Sequence, residues 1–549
     1  MRRLALLFLL PVVTAIAQDQ PRQLLQQSNA RARALVMRAI AAHGGDRAIH
    51  DIRTIWLDEA GRTWLRTQGP LPGRPLTARP VRSRVMLDFE HDRGCYAPDA
   101  FTHSDTTRVE DMFYVYHPRT IVRDGRVTDL SMWMRRRSEP RSGGLQHLRP
   151  QQRLLPTTWL VDAVAAGRTL RALGDETLAG ARTSLVAMTT SDGRSVTLRF
   201  AADGLLRSIE TLGVDPAEGD FLSVVEFGEY QRTGGVQLPR RRIEWVDQDR
   251  VLDVRASRLS VNEGIDESCL TIPDDFVSSP PAPRPAAEAV KLSDRVYLLQ
   301  ALGGAYNALA ILFDTFVVVI EAPENSPASG LAAQAMSMVR SVAGERPIRY
   351  LAFTHFHSDH AGGVRDYIAA GATILTTPAT RAWVEQAATA RFAIVPDRLA
   401  LTPRAARIET ISDRHVIGDG AERVELHMVP WDHAREELMV YVPQAKLVFE
   451  GDLFASGEGD APIAQRSAEL LAETIRARGL DVERIVGVHG RLRPFSELEQ
   501  AIARRRALAA SARRRALADV ALAKSAGLNA QARTTRGRRE SAGQRVAPD

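Results

Sequence analysis

The sequence predicts an α/β domain preceded by a β-rich, antiparallel-sheet α+β domain. Three observations carry this. The stretch Ser278-Ser279-Pro280-Pro281-Ala282-Pro283-Arg284-Pro285-Ala286-Ala287 is a stiff, extended linker that divides the chain. Ahead of it, short alternating segments are separated by glycine-containing turns, the mark of antiparallel hairpins. Behind it, strands alternate with helices, and Phe316-Val317-Val318-Val319-Ile320 is a β-branched run of the kind buried on both faces. At 549 residues, 44% hydrophobic and 25% charged, the chain has the composition of a globular protein. Its length predicts two or three domains rather than one core.

Met1-Arg2-Arg3 begins a positive segment, Leu4 to Val13 is apolar, and Ala15-Ile16-Ala17 supplies small residues in an A-x-A pattern. These features describe a cleavable signal peptide over residues 1–17, cut after Ala17, and so a periplasmic or secreted protein. The apolar stretch falls short of the ~20 residues needed to span a bilayer. Position 18 is Gln rather than the Cys that would carry a lipid.

Residues 18–277 form the expected β-rich domain. A helical pattern from Asn29 to Ala42 stops at Gly44-Gly45, and residues 157–168 read as a second helix. Leu185–Met188 and Val196–Phe200 flank Ser191-Asp192-Gly193, a hairpin signal. Further turns fall at Asp203-Gly204 and Gly234-Gly235. The Gly44-Gly45 start and Phe221 to Pro239 faintly resemble the outer-membrane lipoprotein-sorting protein-like fold. That resemblance implies a curved antiparallel sheet wrapped over helices, with an apolar concavity. His43, His50, His91, His103, His117 and His147 are scattered and read as structural or surface residues.

The linker, residues 278–289, leads into the α/β domain, 290–495. There residues 327–341 read as a helix and Arg349-Tyr350-Leu351-Ala352-Phe353 as a strand. An Ala/Arg-rich helix is expected over 496–526, opened by Ser496 and Glu499 in a capping-box pattern. A disordered basic tail is expected over 527–549. The net charge of +6 belongs to the ends. Twelve Arg/Lys against three acids follow from Arg504 onwards, and two arginines open the chain, leaving the body near −5. No specific nucleic-acid partner is therefore expected, and the tail is at most a weak membrane-surface contact. Cys95 and Cys269, the two cysteines, could pair in an oxidising compartment, but the sequence does not bring them together.

Chemistry concentrates in Thr354-His355-Phe356-His357-Ser358-Asp359-His360-Ala361-Gly362-Gly363. Three imidazoles and a carboxylate within six residues are donors that divalent zinc favours. Four donors this close cannot all serve one tetrahedral ion without strain, so the spacing suggests two metals on one loop and a metal-dependent hydrolase. His355 and His357 are two apart at a strand end, so both can point the same way.

Residues 290–495 resemble the metallo-β-lactamase superfamily, with Thr354 to Gly363 matching its H-x-H-x-D-H signature. Pro430-Trp431-Asp432-His433, Phe449-Glu450-Gly451-Asp452-Leu453-Phe454 and Val488-His489-Gly490 agree in order. The resemblance implies an αββα sandwich with two Zn²⁺ per chain, Fe or Mn being alternatives. It implies that His355, His357 and His433 hold one metal, that Asp359, His360 and His489 hold the other, and that Asp452 bridges them. Ions in such a site stand ~3.5–4 Å apart. Asp359 and Asp452 are the carboxylates expected to act in catalysis, with a metal-bridging hydroxide attacking a carbonyl or phosphoryl centre. The residual positive charge suits a small, anionic or ester-containing substrate.

Departures from the family pattern sharpen the expectation. Zinc β-lactamases generally carry Cys or Ser where this chain has Asp452, so an ester-type bond is favoured, in a lactone, thioester or phosphoester. Ala434 follows the third histidine where a hydroxyl is common, so Asp432 or Glu436 is expected to orient the ligands. Glu321 stands where many members have a supporting Asp. His415 and His427 read as structural, and residues 377–425 as the variable specificity region. Two other readings remain: a mononuclear-iron persulfide-dioxygenase-like enzyme using His355, His433 and Asp452, and a non-enzymatic envelope protein binding lipid or another hydrophobic ligand.

Overall fold

A computed structural model describes residues 10–73, 75–99, 118–131, 136–178, 180–279, 285–324, 326, 328–419, 422–431, 433–454, 466–507 and 510. Residues 1–9, His103, His117, Asp432, residues 280–284 of the proline-rich linker and the basic tail lie outside the described residues.

A mostly antiparallel sheet dominates the first half. Its strands include Thr54–Leu65, Thr77–Asp88, Arg93–Asp99 and the ladder from Arg171–Leu178 to Asp249–Val261. Strand Thr54–Leu65 pairs on one side with Thr77–Asp88 and on the other with Asp249–Val261. One exception is parallel: Val277–Ser279 lies beside Arg136–Ser138. Helix Leu10–Ala42 extends well beyond the segment whose sequence pattern is helical and runs through Pro21. Ala32, Val36, Ala39 and Ile40 turn inward at helical spacing. They pack with Val186, Leu198 and Phe200 from the sheet and Trp159, Leu160 and Ala163 from helix Pro156–Ala165.

Gly44 ends the long helix at φ 120°, and a Cβ there would stand 2.5 Å from the Gly235 carbonyl oxygen. Only glycine lets the helix end meet the hairpin turn this closely. On the other face of the sheet, Trp56, Met86, Ile121 and Leu130 bury Cys95 and Cys269, which are joined by a disulfide with Cα atoms 6.0 Å apart.

The second half holds a 7-stranded and a 6-stranded sheet among the described residues. The first begins antiparallel, then adds Ile348–Ala352, Thr373–Thr376 and Arg407–Thr410 in parallel. Alternation along each strand builds the layers. Leu309, Ile311, Val318 and Ile320 meet Val424, Leu426, Val440 and Phe449 of the facing sheet. Ala308, Ala310, Val317 and Val319 face outward against helices Leu331–Ala343, Val364–Ala370 and Pro378–Thr389. Helix Arg466–Ala477 and the helix over 495–507 cover the 6-stranded sheet through Leu471, Ile475, Leu498 and Ile502. The order is helix, sheet, sheet, helix. No helix among the described residues is long and apolar enough to cross a membrane.

Candidate functional site

Three loops that leave strand C-termini converge at one end of the two sheets. His355 to His360 follow Ile348–Ala352, Asp452 follows Leu447–Glu450, and His489 follows Arg484–Gly487. His433 lies on the connection between Glu422–Val429 and Glu437–Val442. All seven candidate ligands come together in two groups. His355, His357, His433 and Asp452 form one, and Asp359, His360 and His489 the other, with the ligand atoms of each group within 4.8 Å of one another.

Asp452 stands between the groups. Its Oδ2 is 2.9 Å from His433 Nε2 and 3.9 Å from His355 Nε2. Its Oδ1 is 3.4 Å from His360 Nε2 and 3.6 Å from His489 Nε2. Asp359 Oδ2 completes the second group 3.2 Å from His489 Nε2. The histidines of the motif are fully buried, whereas His489 is 37% exposed, so the site opens to solvent on the His489 side.

Local structure explains the convergence. Ser358–Ala361 is a single helical turn, and a Cβ on Gly362 would stand 2.4 Å from Ser358 O and 2.5 Å from Glu324 O. Glycine there lets the turn rest on the strand end at 322–324. Glu321 holds a left-handed φ of 77°, a strained conformation costing ~1–3 kcal/mol for a residue with a side chain. It is fixed from both ends: its N–H donates to Ala352 O at 2.8 Å, and its Oε1 accepts the Thr354 N–H at 2.7 Å.

The Thr354 hydroxyl lies 3.2 Å from Nδ1 of both His355 and His360, leaving both Nε2 atoms towards Asp452. This threonine, rather than Glu436, holds the two rings in place. Glu436 instead accepts the N–H of Ala379, capping helix Pro378–Thr389 away from the ligands, and Asp432 lies outside the described residues. Other supports carried no sequence signal. Asn307 Nδ2 donates to Gly487 O at 2.9 Å and Gly490 O at 3.1 Å, clamping the His489 loop. Glu437 Oε1 accepts the Asp452 N–H, and Glu450 Oε2 accepts those of Leu453 and Phe454. His427 pairs with Glu425 at 3.2 Å, and neither it nor His415 joins either ligand group.

The electrostatics fit a cation site. Burial holds His355 well below the ordinary histidine value and takes His357 down to about 3, so both are neutral donors. Burial opposes the charged forms of His360 and Asp452, but their mutual attraction outweighs it, raising His360 and lowering Asp452. Burial likewise opposes Asp359, and His489 and His360 bring it below its ordinary value. Burial raises Glu321 and Glu450, and takes Glu437 up to about 8. His360 Nε2 is buried without a hydrogen-bond partner among the described residues. An orphaned imidazole nitrogen facing two carboxylates is what a metal site presents before it is loaded. Five imidazoles and two carboxylates therefore fit two divalent cations, and the arrangement supports a metal-dependent hydrolase.

No curated protein matches the chain. Among solved structures, a metallo-beta-lactamase from Pontibacter korlensis is 17% identical, covering 40% of this chain and 99% of that one, with a TM-score of 0.31. The DIM-1 metallo-beta-lactamase is 14% identical, covering 42% of this chain and 99% of that one, also with a TM-score of 0.31. The family model of the metallo-beta-lactamase superfamily matches residues 305–489, the C-terminal span of this chain that contains all seven candidate ligands.

Proposed function

We propose that the protein is an exported, dinuclear zinc hydrolase that cleaves an ester-type bond in a small, anionic substrate. The observation that carries this reading is Asp452, whose two oxygens face different histidine groups. When bound, two Zn²⁺ ions would supply a water acidified to near-neutral pKa and a Lewis-acidic contact for the reacting oxygen. His355, His357 and His433 would hold one ion, Asp359, His360 and His489 the other, with Asp452 shared. Thr354 keeps two of the imidazoles turned to the centre, and Glu437 keeps the Asp452 loop against it. Two carboxylates against two divalent cations leave net positive charge, which favours an anion. Substrate enters on the exposed His489 side.

The test is metal analysis of the purified chain followed by lactone, thioester, phosphodiester, sulfate ester and β-lactam substrates. Two zinc per chain and chelator-sensitive turnover of an ester are expected. One iron per chain with oxygenation of a persulfide would replace the proposal with the mononuclear reading, and a metal-free, inactive chain would leave only ligand binding.

Export after cleavage at Ala17 is part of the same proposal. The leader composition supports it, as does the Cys95–Cys269 pairing, since such bonds persist in oxidising compartments. N-terminal sequencing of the mature protein from cell fractions tests it, with Gln18 as the expected first residue.

A further inference from the structure

The first domain reaches into the candidate metal centre. Strands Thr54–Leu65 and Thr77–Asp88 are joined by a loop whose Gln68, Gly69 and Pro70 lie against the second domain. Gly69 O is 2.9 Å from His357 Nε2. A carbonyl only accepts, so Nε2 carries the proton and Nδ1 is left as the donor atom, 3.0 Å from His355 Nε2. Gln68 Nε2 lies 3.4 Å from Asp359 Oδ1, while the other oxygen of Asp359 faces His489. Pro70 O accepts the N–H of Arg435, two residues beyond His433.

The loop is not loosely placed. Arg66, at its root, pairs with Glu218 at 2.9 Å and Asp247 at 3.3 Å. Glu218 lies 3.4 Å from Trp383 Nε1 of helix Pro378–Thr389. In the same hairpin turn, Ala217 is buried in the core of the second domain, and Asp220 accepts the N–H of Ala393 at 2.7 Å.

We propose that the first domain is a working part of the metal centre, with Gln68 and the Gly69 carbonyl as positioning groups for Asp359 and His357. The inference rests on the dinuclear reading above. Groups that hold a metal ligand's far atom set its orientation, and losing one typically costs 10–100-fold in metal affinity. Gln68 touches only the second ligand group, so its loss should weaken one metal and spare the other. Gln68→Leu, which keeps the bulk of the side chain but not its N–H donor, should weaken that metal about as much as Gln68→Ala.

The experiment is stepwise Zn²⁺ and Co²⁺ binding to the full chain and its variants, by competition with a chromophoric chelator and by cobalt absorption. Thermal unfolding checks that each variant is folded. Expected for Gln68→Ala is a roughly 10-fold loss at one of two sites. Arg66→Ala, which releases the loop at its root without touching a ligand, should weaken both sites, because it loosens Gly69 from His357 as well as Gln68 from Asp359. Wild type binding two ions and both Gln68 variants binding them with wild-type affinities would overturn the inference while leaving the centre intact. A wild-type chain that retains no metal would overturn the centre and the inference with it.

Discussion

Glu437 accepts the backbone N–H of Asp452 at 3.1 Å from a position with no solvent exposure. Its other oxygen has no hydrogen-bond partner among the described residues, and burial takes its carboxyl up to about 8. The group acts as a neutral acceptor that fixes the backbone of the shared carboxylate. Glu437→Gln keeps that acceptor and should retain near wild-type stability and metal content. Glu437→Leu strands a buried N–H, costing ~1–3 kcal/mol, and should weaken metal retention by roughly 10-fold. Urea unfolding of the metal-free variants and chelator competition measure the two effects separately.

Asp452→Ala removes both oxygens that face the two histidine groups. Turnover should fall to background and metal content should drop below two per chain. A variant that kept both metals and its activity would contradict a shared carboxylate. The fold should survive, because Phe449 and Val440 seal the sheet interface independently of the site.

The disulfide joins the sheet at Cys95 to the short helical turn Glu267–Leu270. Reduction, or Cys95→Ser with Cys269→Ser, should destabilise the first domain by ~2–5 kcal/mol. Thermal unfolding with and without reductant reads this directly, and wild type should shift where the double variant does not.

Asp253 accepts from Arg241 Nη2 at 2.8 Å and Nε at 3.1 Å across adjacent strands. Those hydrogen bonds hold its carboxyl below the ordinary value near 3.8. A lowered folded value gives stability that is present above the unfolded value and lost as pH falls through the folded one. Stability should decline on acidification below about pH 4, and Asp253→Asn should reduce that decline by at most ~1 kcal/mol, as for a surface pair. Urea midpoints measured across the acid range provide the check.

How much of this was legible in the sequence follows from distance along the chain. His355 to His360 announce themselves because four donors crowd one turn. His433, Asp452 and His489 each follow a recognisable strand, and family order supplies the rest. Thr354 sits inside the motif, but its role depends on two imidazole rotations that spacing does not specify. Glu437 and Glu450 occupy positions in apolar strands where a carboxylate has no sequence partner; only the fold brings each to a loop N–H. Gln68 and Gly69 are harder still, since Gly69 meets His357 across 288 residues. The same holds for the cysteines, whose pairing requires the sheet to curve Asp266–Leu270 back over Arg93–Asp99. Glu436 misled because its carboxylate is engaged by the Ala379 N–H, a partner 57 residues away that spacing does not reveal.

The covalent tie between Cys95 and Cys269 also sets how the chain would respond to being pulled. The bonded residues are 174 apart, and the ladder from Arg171–Leu178 to Asp249–Val261 lies wholly within that span. Tension applied at the two termini would pass through the sulfur bridge and bypass everything enclosed. Under oxidising conditions ~600 Å of contour length stays hidden from the load, and a reductant would release it in a single-molecule stretching trace.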